Sequence, residues 1–355
     1  LTGGALPAEL CRCVTQGTPF LLKEETMFKS RILPAACSAL VLLSACGGGT
    51  TDNDTGGSAP LETKNDALRE LSLSAGALVE LVDGAVDVSG APGMAPRIAS
   101  KRLADESGGT AKAARTCNPG SSTETEVTRN HLLFAGITSS GIRLTDNACV
   151  QVSVGSRQAF AGVTERGDSV QAGNVRYAYL RDGANGLSGT PYIEEYRQPA
   201  EGTATFAEME ARAGDIEARG EDDVGTELRA LYFYSYENTQ GDLVRIALGD
   251  GVNAPLKIVI GNTTLTLTGS YGYRTQDCSG GTVAVTTPQA LTRNGAGDFN
   301  GGQLRLASGG RNVQFSFKND GSATLTRNGV DENVPKSEIS AAMNADPCGF
   351  GMDDE

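Results

Sequence analysis

The chain has 355 residues, of which 43 are acidic and 30 basic, for a formal charge of −13. That balance excludes a nucleic-acid partner, because neutralising phosphates requires concentrated Lys and Arg. With 46 glycines, many in Asn-Gly and Asp-Gly pairs, the composition favours many turns over long helices. At 39% hydrophobic residues it still supports a packed core rather than wholesale disorder.

The first informative segment concerns processing. Met27 opens a short basic stretch, Phe28-Lys29-Ser30-Arg31, and Ile32 to Leu43 form an apolar run broken only by Pro34, Cys37 and Ser38. A basic start, a short apolar run and small residues before a cleavage point describe an export signal. The run is too short to span a bilayer, which takes about 20 apolar residues. It ends in Leu43-Ser44-Ala45-Cys46, followed by Gly47-Gly48-Gly49. This tetrapeptide resembles the lipobox of bacterial lipoprotein precursors. The resemblance implies that residues 27–45 are a signal peptide and that Cys46 becomes the acylated amino terminus, held in a membrane by its lipid. Gly47 stands where enterobacterial lipoproteins retained in the inner membrane carry Asp, so the same resemblance favours the outer membrane.

Residues 1–26 precede this signal with a polar lead. Purine-rich codons for Lys23-Glu24-Glu25 would spell a ribosome-binding sequence just before Met27, so these residues are read as an over-extended gene start. Cys11 and Cys13 then carry no metal or redox role.

After Cys46, the Gly, Thr, Asp, Asn, Ser and Pro residues up to position 64 form a flexible tether, with a reach of roughly 25 Å by random-coil scaling. Residues 65–116 are expected to hold a helix and a loop. Asn65 or Asp66 caps the helix, and Leu68, Leu71, Ala75, Leu78, Leu81 and Val82 recur at helical spacing up to about Asp83, with Gly84 as the stop.

From Cys117 to the end, short alternating segments predict a mainly β fold: an antiparallel sandwich or barrel-like sheets, with a possible division near 225–230. The clearest hairpin joins Lys257–Ile260 to Thr263–Thr268 through Gly261-Asn262. Phe206 to Arg219 reads equally as an acidic helix or an edge strand. Gly269-Ser270-Tyr271 through Cys278 to Val283 loosely resembles β-rich segments of uncharacterised proteobacterial lipoproteins, a resemblance that implies no activity.

Four cysteines remain in the mature chain, Cys117, Cys149, Cys278 and Cys348. An even number in an exported chain predicts two disulfides, with three connectivities open; nearest-neighbour pairing is the simplest. Zinc is disfavoured because no Cys-x-x-Cys spacing exists and His131 is the only histidine. No metal or other cofactor is expected. A Ser-His-Asp arrangement would have to use His131, and no Gly-x-Ser-x-Gly elbow accompanies it, so a structural or surface role is expected. Asp215, Glu217, Glu221, Asp222 and Asp223 read as a solvated acidic loop. Asn294 to Gly302, with Asp298, reads as a glycine-rich turn rather than a calcium loop. No catalytic residue is assigned. The leading expectation is a tethered envelope lipoprotein, a non-enzymatic binding or structural module for a protein or glycan ligand. A surface adhesin or host-interaction factor, and a carboxylate-dependent hydrolase, are the alternatives.

Overall fold

The computed structural model describes residues 59–86, 114–153, 156–171, 175–199, 205–221, 224–237, 241–278, 280–345 and 348. The expected signal segment, Cys46 and the expected tether up to residue 58 lie outside the described residues, as does most of the expected loop, 87–113. The tether's last expected positions are packed instead, with Ala59 and Leu61 at most 2% exposed.

The helical segment has three consecutive pieces: α1 (Lys64–Ser72), a π-helical turn (Leu73–Ala77) and α2 (Leu78–Ala85). The cap is Thr63 rather than Asn65 or Asp66. Asp66 N–H donates to Thr63 Oγ1 at 3.1 Å, and Thr63 N–H donates to Asp66 Oδ2 at 2.8 Å. The reciprocal bonds satisfy two otherwise orphaned donors of the first turn. At the wide turn, Leu78 N–H reaches back to the Leu73 carbonyl.

Sixteen strands follow among the described residues. The first eight are β1 (Ser121–Asn130), β2 (Thr138–Ser153), β3 (Ser156–Val170), β4 (Arg176–Asp182), β5 (Ala184–Leu187), β6 (Tyr192–Pro199), β7 (Thr205–Glu221) and β8 (Gly225–Glu237). The rest are β9 (Leu243–Leu248), β10 (Leu256–Ile260), β11 (Thr264–Thr275), β12 (Thr282–Arg293), β13 (Phe299–Ser308), β14 (Arg311–Phe317), β15 (Ala323–Arg327) and β16 (Val330–Val334). A final helix, α3, covers Lys336–Asn344.

The mainly β, antiparallel class read from the sequence is the one observed. Fifteen of the strands hydrogen-bond into one continuous sheet, in the order β1-β2-β3-β4-β7-β8-β10-β11-β12-β13-β14-β15-β16. Short strands fill it in pairs: β4 and β6 share the space between β3 and β7, while β9 and β10 share that between β8 and β11. Residues 225–230, where a division was expected, lie in β8 and pair with β7 on one side and β10 on the other. In the predicted hairpin Ile260 pairs with Leu265 and Gly261 N–H donates to the Thr264 carbonyl, so the corner is Asn262-Thr263, one residue later than expected.

The α1–α2 segment buries a broad apolar face, on which Leu71, Leu73, Ala75, Val79 and Val82 are at most 1% exposed, while Asp66, Arg69, Gly76, Glu80 and Asp83 form a partly exposed stripe. An apolar face this broad needs cover from more than one direction. One core cluster joins it to inward residues of β4, β7 and β8 and of most later strands. Polar contacts reach it from β11 (Tyr271 to Glu70), β12 (Arg293 to the Ala75 carbonyl) and β15 (Arg327 to the Glu62 carbonyl just before α1). The sheet therefore curls around the helix. Register shifts in the β11–β12 and β12–β13 ladders supply local bending.

Candidate functional site

Cys46, the expected lipid site, lies outside the described residues. The four expected disulfide cysteines are paired as nearest neighbours. Cys117 bonds to Cys149 with 5.0 Å between Cα atoms, and Cys278 to Cys348 with 5.3 Å. The second bond ties the segment after α3 to the loop between β11 and β12.

The densest cluster of reactive side chains lies on the face of β4 and β7 turned away from the helix. The strand β7 is buried on both faces between Ala211 and Ala218. Ile216 and Ala218 join the apolar core, whereas Asp215 and Glu217, of opposite parity, point into a polar layer. Gly214 allows this strand to close on β8: a Cβ there would sit 2.3 Å from the Leu231 carbonyl oxygen, and its φ is +122°. The solvated acidic loop expected here is thus corrected for two members. Asp215 is 3% exposed and Glu217 1%. Glu221 ends β7, and Asp222 and Asp223 lie outside the described residues. The ambiguous stretch from Phe206 to Arg219 is neither a helix nor an edge: β7 pairs with β4, β6 and β8.

Arginines from several strands neutralise the layer. Arg129 of β1 donates to Glu165 of β3 and lies 3.7 Å from Asp215, while Arg143 of β2 donates to Glu165 at 2.7 Å. Arg181 of β4 lies 3.6 Å from the same Asp215 oxygen. Burial pushes the Asp215 carboxyl up to about 7; Arg129 opposes the shift, and the carboxylates of Glu217, Glu165 and Asp182 add to it. Burial, reinforced by Glu165, likewise lifts the Tyr179 hydroxyl to about 12.

Glu217 anchors the β1–β2 loop. It accepts backbone N–H bonds from Leu132, Leu133 and Phe134 at 2.6, 2.9 and 3.0 Å. Arg229 of β8 donates to the Leu133 carbonyl, and its guanidinium lies 4.3 Å from the centre of the Phe134 ring. His131 is buried beneath this loop. Its Nε2 lies 2.8 Å from Ser139 Oγ and its Nδ1 3.3 Å from Glu217 Oε2. Ser139 Oγ also lies 2.8 Å from Ser169 Oγ. Serine, histidine and carboxylate in line share the outline of an activated nucleophile. Two observations argue against that chemistry: Ser139 is 1% exposed, and the Glu217 carboxylate is already engaged by three amides. The arrangement is suited to holding the loop down.

A second polar group lies on the helix side of the same strands. Tyr232 donates to Asp182, Arg212 lies 3.5 Å from that carboxylate, and the Arg212 guanidinium stands 4.8 Å from the Tyr192 ring centre. Tyr192 donates to Asp146 at 3.3 Å, beside the Cys117–Cys149 bond.

The Asn294 to Gly302 segment is a turn. Asn294 Oδ1 accepts from Ala296 N and Asp298 N, and the Asp298 carboxylate is held by Lys336 at 2.6 Å. Among the described residues, no group of three or more His, Cys, Asp or Glu side chains is placed to hold a metal ion.

Comparisons with known protein families, curated proteins and solved structures return no match.

Sequence reasoning missed the buried layer. A signal did exist: in Ala211-Arg212-Ala213-Gly214-Asp215-Ile216-Glu217-Ala218 the charged residues at 215 and 217 alternate with apolar ones at 216 and 218, which is strand spacing. The arginines that face Asp215, Arg129 and Arg181, and the neighbouring pair of Arg143 with Glu165, are scattered through the chain and meet only through strand register.

Proposed function

We propose that the protein is a lipid-anchored component of a bacterial cell envelope, outer membrane favoured, whose β domain acts as a non-enzymatic binding or structural module. The observation that carries this reading is Leu43-Ser44-Ala45-Cys46 at the end of a basic-then-apolar segment that starts at Met27. Two disulfides within the folded part support it, since such bonds persist in oxidising compartments. The non-enzymatic part is supported by how the buried carboxylates are used: Glu165 and Asp215 face arginines, and Glu217 holds backbone amides. Twelve residues separate Cys46 from the first described residue, Ala59, and would hold the domain off the bilayer.

The test is Cys46→Ser expressed in a proteobacterial host. The wild-type chain is expected in the membrane fraction and the variant in the soluble or unprocessed pool. Equal membrane retention of the two would refute the anchor.

A further inference from the structure

We propose that the outer edge of β1 is an acceptor for an extended, basic strand from another protein. The proposal rests on reading the domain as a binding module and is independent of the lipid on Cys46.

An open sheet has two ends, and here they are treated differently. At one end β16 is only five residues long. Its Glu332 is engaged by Lys64 at 3.3 Å and Arg327 at 3.7 Å, its Asn333 accepts from Lys318 at 2.9 Å, and Pro335 leads at once into α3. Shortness and engaged charges are the usual means of protecting an edge.

At the other end β1 is twice as long and no cation engages its two glutamates among the described residues, Glu124 accepting only the Ala114 N–H at 3.2 Å. It runs ten residues and pairs with β2 in unbroken register from Ser121↔Asn147 to Asn130↔Thr138. Its sequence, Ser-Ser-Thr-Glu-Thr-Glu-Val-Thr-Arg-Asn, contains no proline, glycine or lysine, and Thr123, Thr125, Val127 and Thr128 favour extended backbone. Among the described residues β1 joins no ladder except that with β2. Alternate residues along its free side therefore offer N–H and C=O groups to an incoming strand, the geometry of β-augmentation.

Charge selects the occupant. Glu124 and Glu126 are exposed and, two residues apart, share one face of the strand. The strand's only cation, Arg129, is taken by Glu165 and Asp215. Lysines or arginines spaced two apart on the incoming strand would face the glutamates directly. A second copy of β1, paired antiparallel about Thr125, would instead set Glu124 against Glu126, and like charges directly opposite disfavour pairing.

The experiment uses the full chain in mild detergent with a fluorescein-labelled ten-residue peptide alternating lysine with valine, followed by anisotropy. Saturable binding is expected, together with slowed amide exchange confined to residues 121–130. Affinity should fall at least ten-fold in Glu124→Lys/Glu126→Lys, and should stay within two-fold in the control Asp250→Lys/Asp277→Lys, which changes the net charge equally elsewhere. A glutamate-for-lysine peptide should not bind. Equal loss of affinity in both double variants, protection mapping away from β1, or no binding to the wild-type chain would overturn the proposal. So would peptide-independent dimerisation with protection of β1, which would make a second copy the occupant.

Discussion

The Tyr271 hydroxyl donates to the Glu70 carboxylate at 2.9 Å, joining β11 to α1 across 201 residues of sequence. Tyr273, two residues further along the same face, donates to the other Glu70 oxygen. Glu70 is fully buried, and burial raises its pKa against the opposing pull of the two hydroxyls and Arg69. This carboxyl therefore fixes how the central helix sits inside the curled sheet.

Glu70→Ala would leave two buried hydroxyls without their acceptor as well as a void. It is expected to destabilise by about 2–4 kcal/mol, and Tyr271→Phe by about 1–2 kcal/mol. In urea denaturation the double variant should lose less than the sum, by about 1 kcal/mol or more, because both changes remove one contact. Strict additivity would show that the contact carries no coupling.

Reduction of the disulfides should cost more than any single hydrogen bond. The closed loops span 32 and 70 residues, for which the chain-entropy model gives about 3.7 and about 4.4 kcal/mol. Non-reducing peptide mapping should recover Cys117 with Cys149 and Cys278 with Cys348, and reductant should lower Tm substantially. Free thiols in exported protein, or a Tm unmoved by reductant, would contradict this.

The disulfides were legible because four cysteines leave three pairings, and adjacent pairing closes the shortest loops. The hairpin at Gly261 was legible because its turn chemistry is local. The layer around Asp215 was not, because Arg129, Glu165 and Arg181 meet only once β1, β3, β4 and β7 are in register. A carboxylate also reads as solvent-facing until its partners are known. The cap was misplaced by two or three residues because Thr63, Asn65 and Asp66 are all good cap residues, and only the reciprocal bond between Thr63 and Asp66 decides among them.

Asp215 should make stability depend on pH in a definite direction. Its folded pKa of about 7 lies above the ordinary 3.8, so between those values the folded state binds the proton more tightly than the unfolded state. Stability from the neutral carboxyl is full below about pH 4 and is lost as pH rises through 7. Asp215→Asn removes this dependence, so its stability relative to wild type should improve between pH 4.5 and 8. A wild-type-minus-variant difference that is flat across that range would contradict the assignment.

Glu217→Ala would orphan the amides of Leu132, Leu133 and Phe134. Unsatisfied buried donors cost about 1–3 kcal/mol each, so a total of about 3 kcal/mol or more is expected, with faster hydrogen exchange at those three amides. Glu217→Gln should fall between this variant and wild type. Unchanged exchange in the alanine variant would show that the loop is held by Arg229 and Phe134 instead.

The central claim is the anchor on Cys46, and mass spectrometry of the mature amino terminus tests it most directly. The account predicts a tryptic peptide running from Cys46 to Lys64, heavier than its sequence by a diacylglyceryl group and an amide-linked acyl chain, and no peptide from residues 1–45. An unmodified peptide that contains Cys46 internally, or a mature terminus beyond it, would contradict the account.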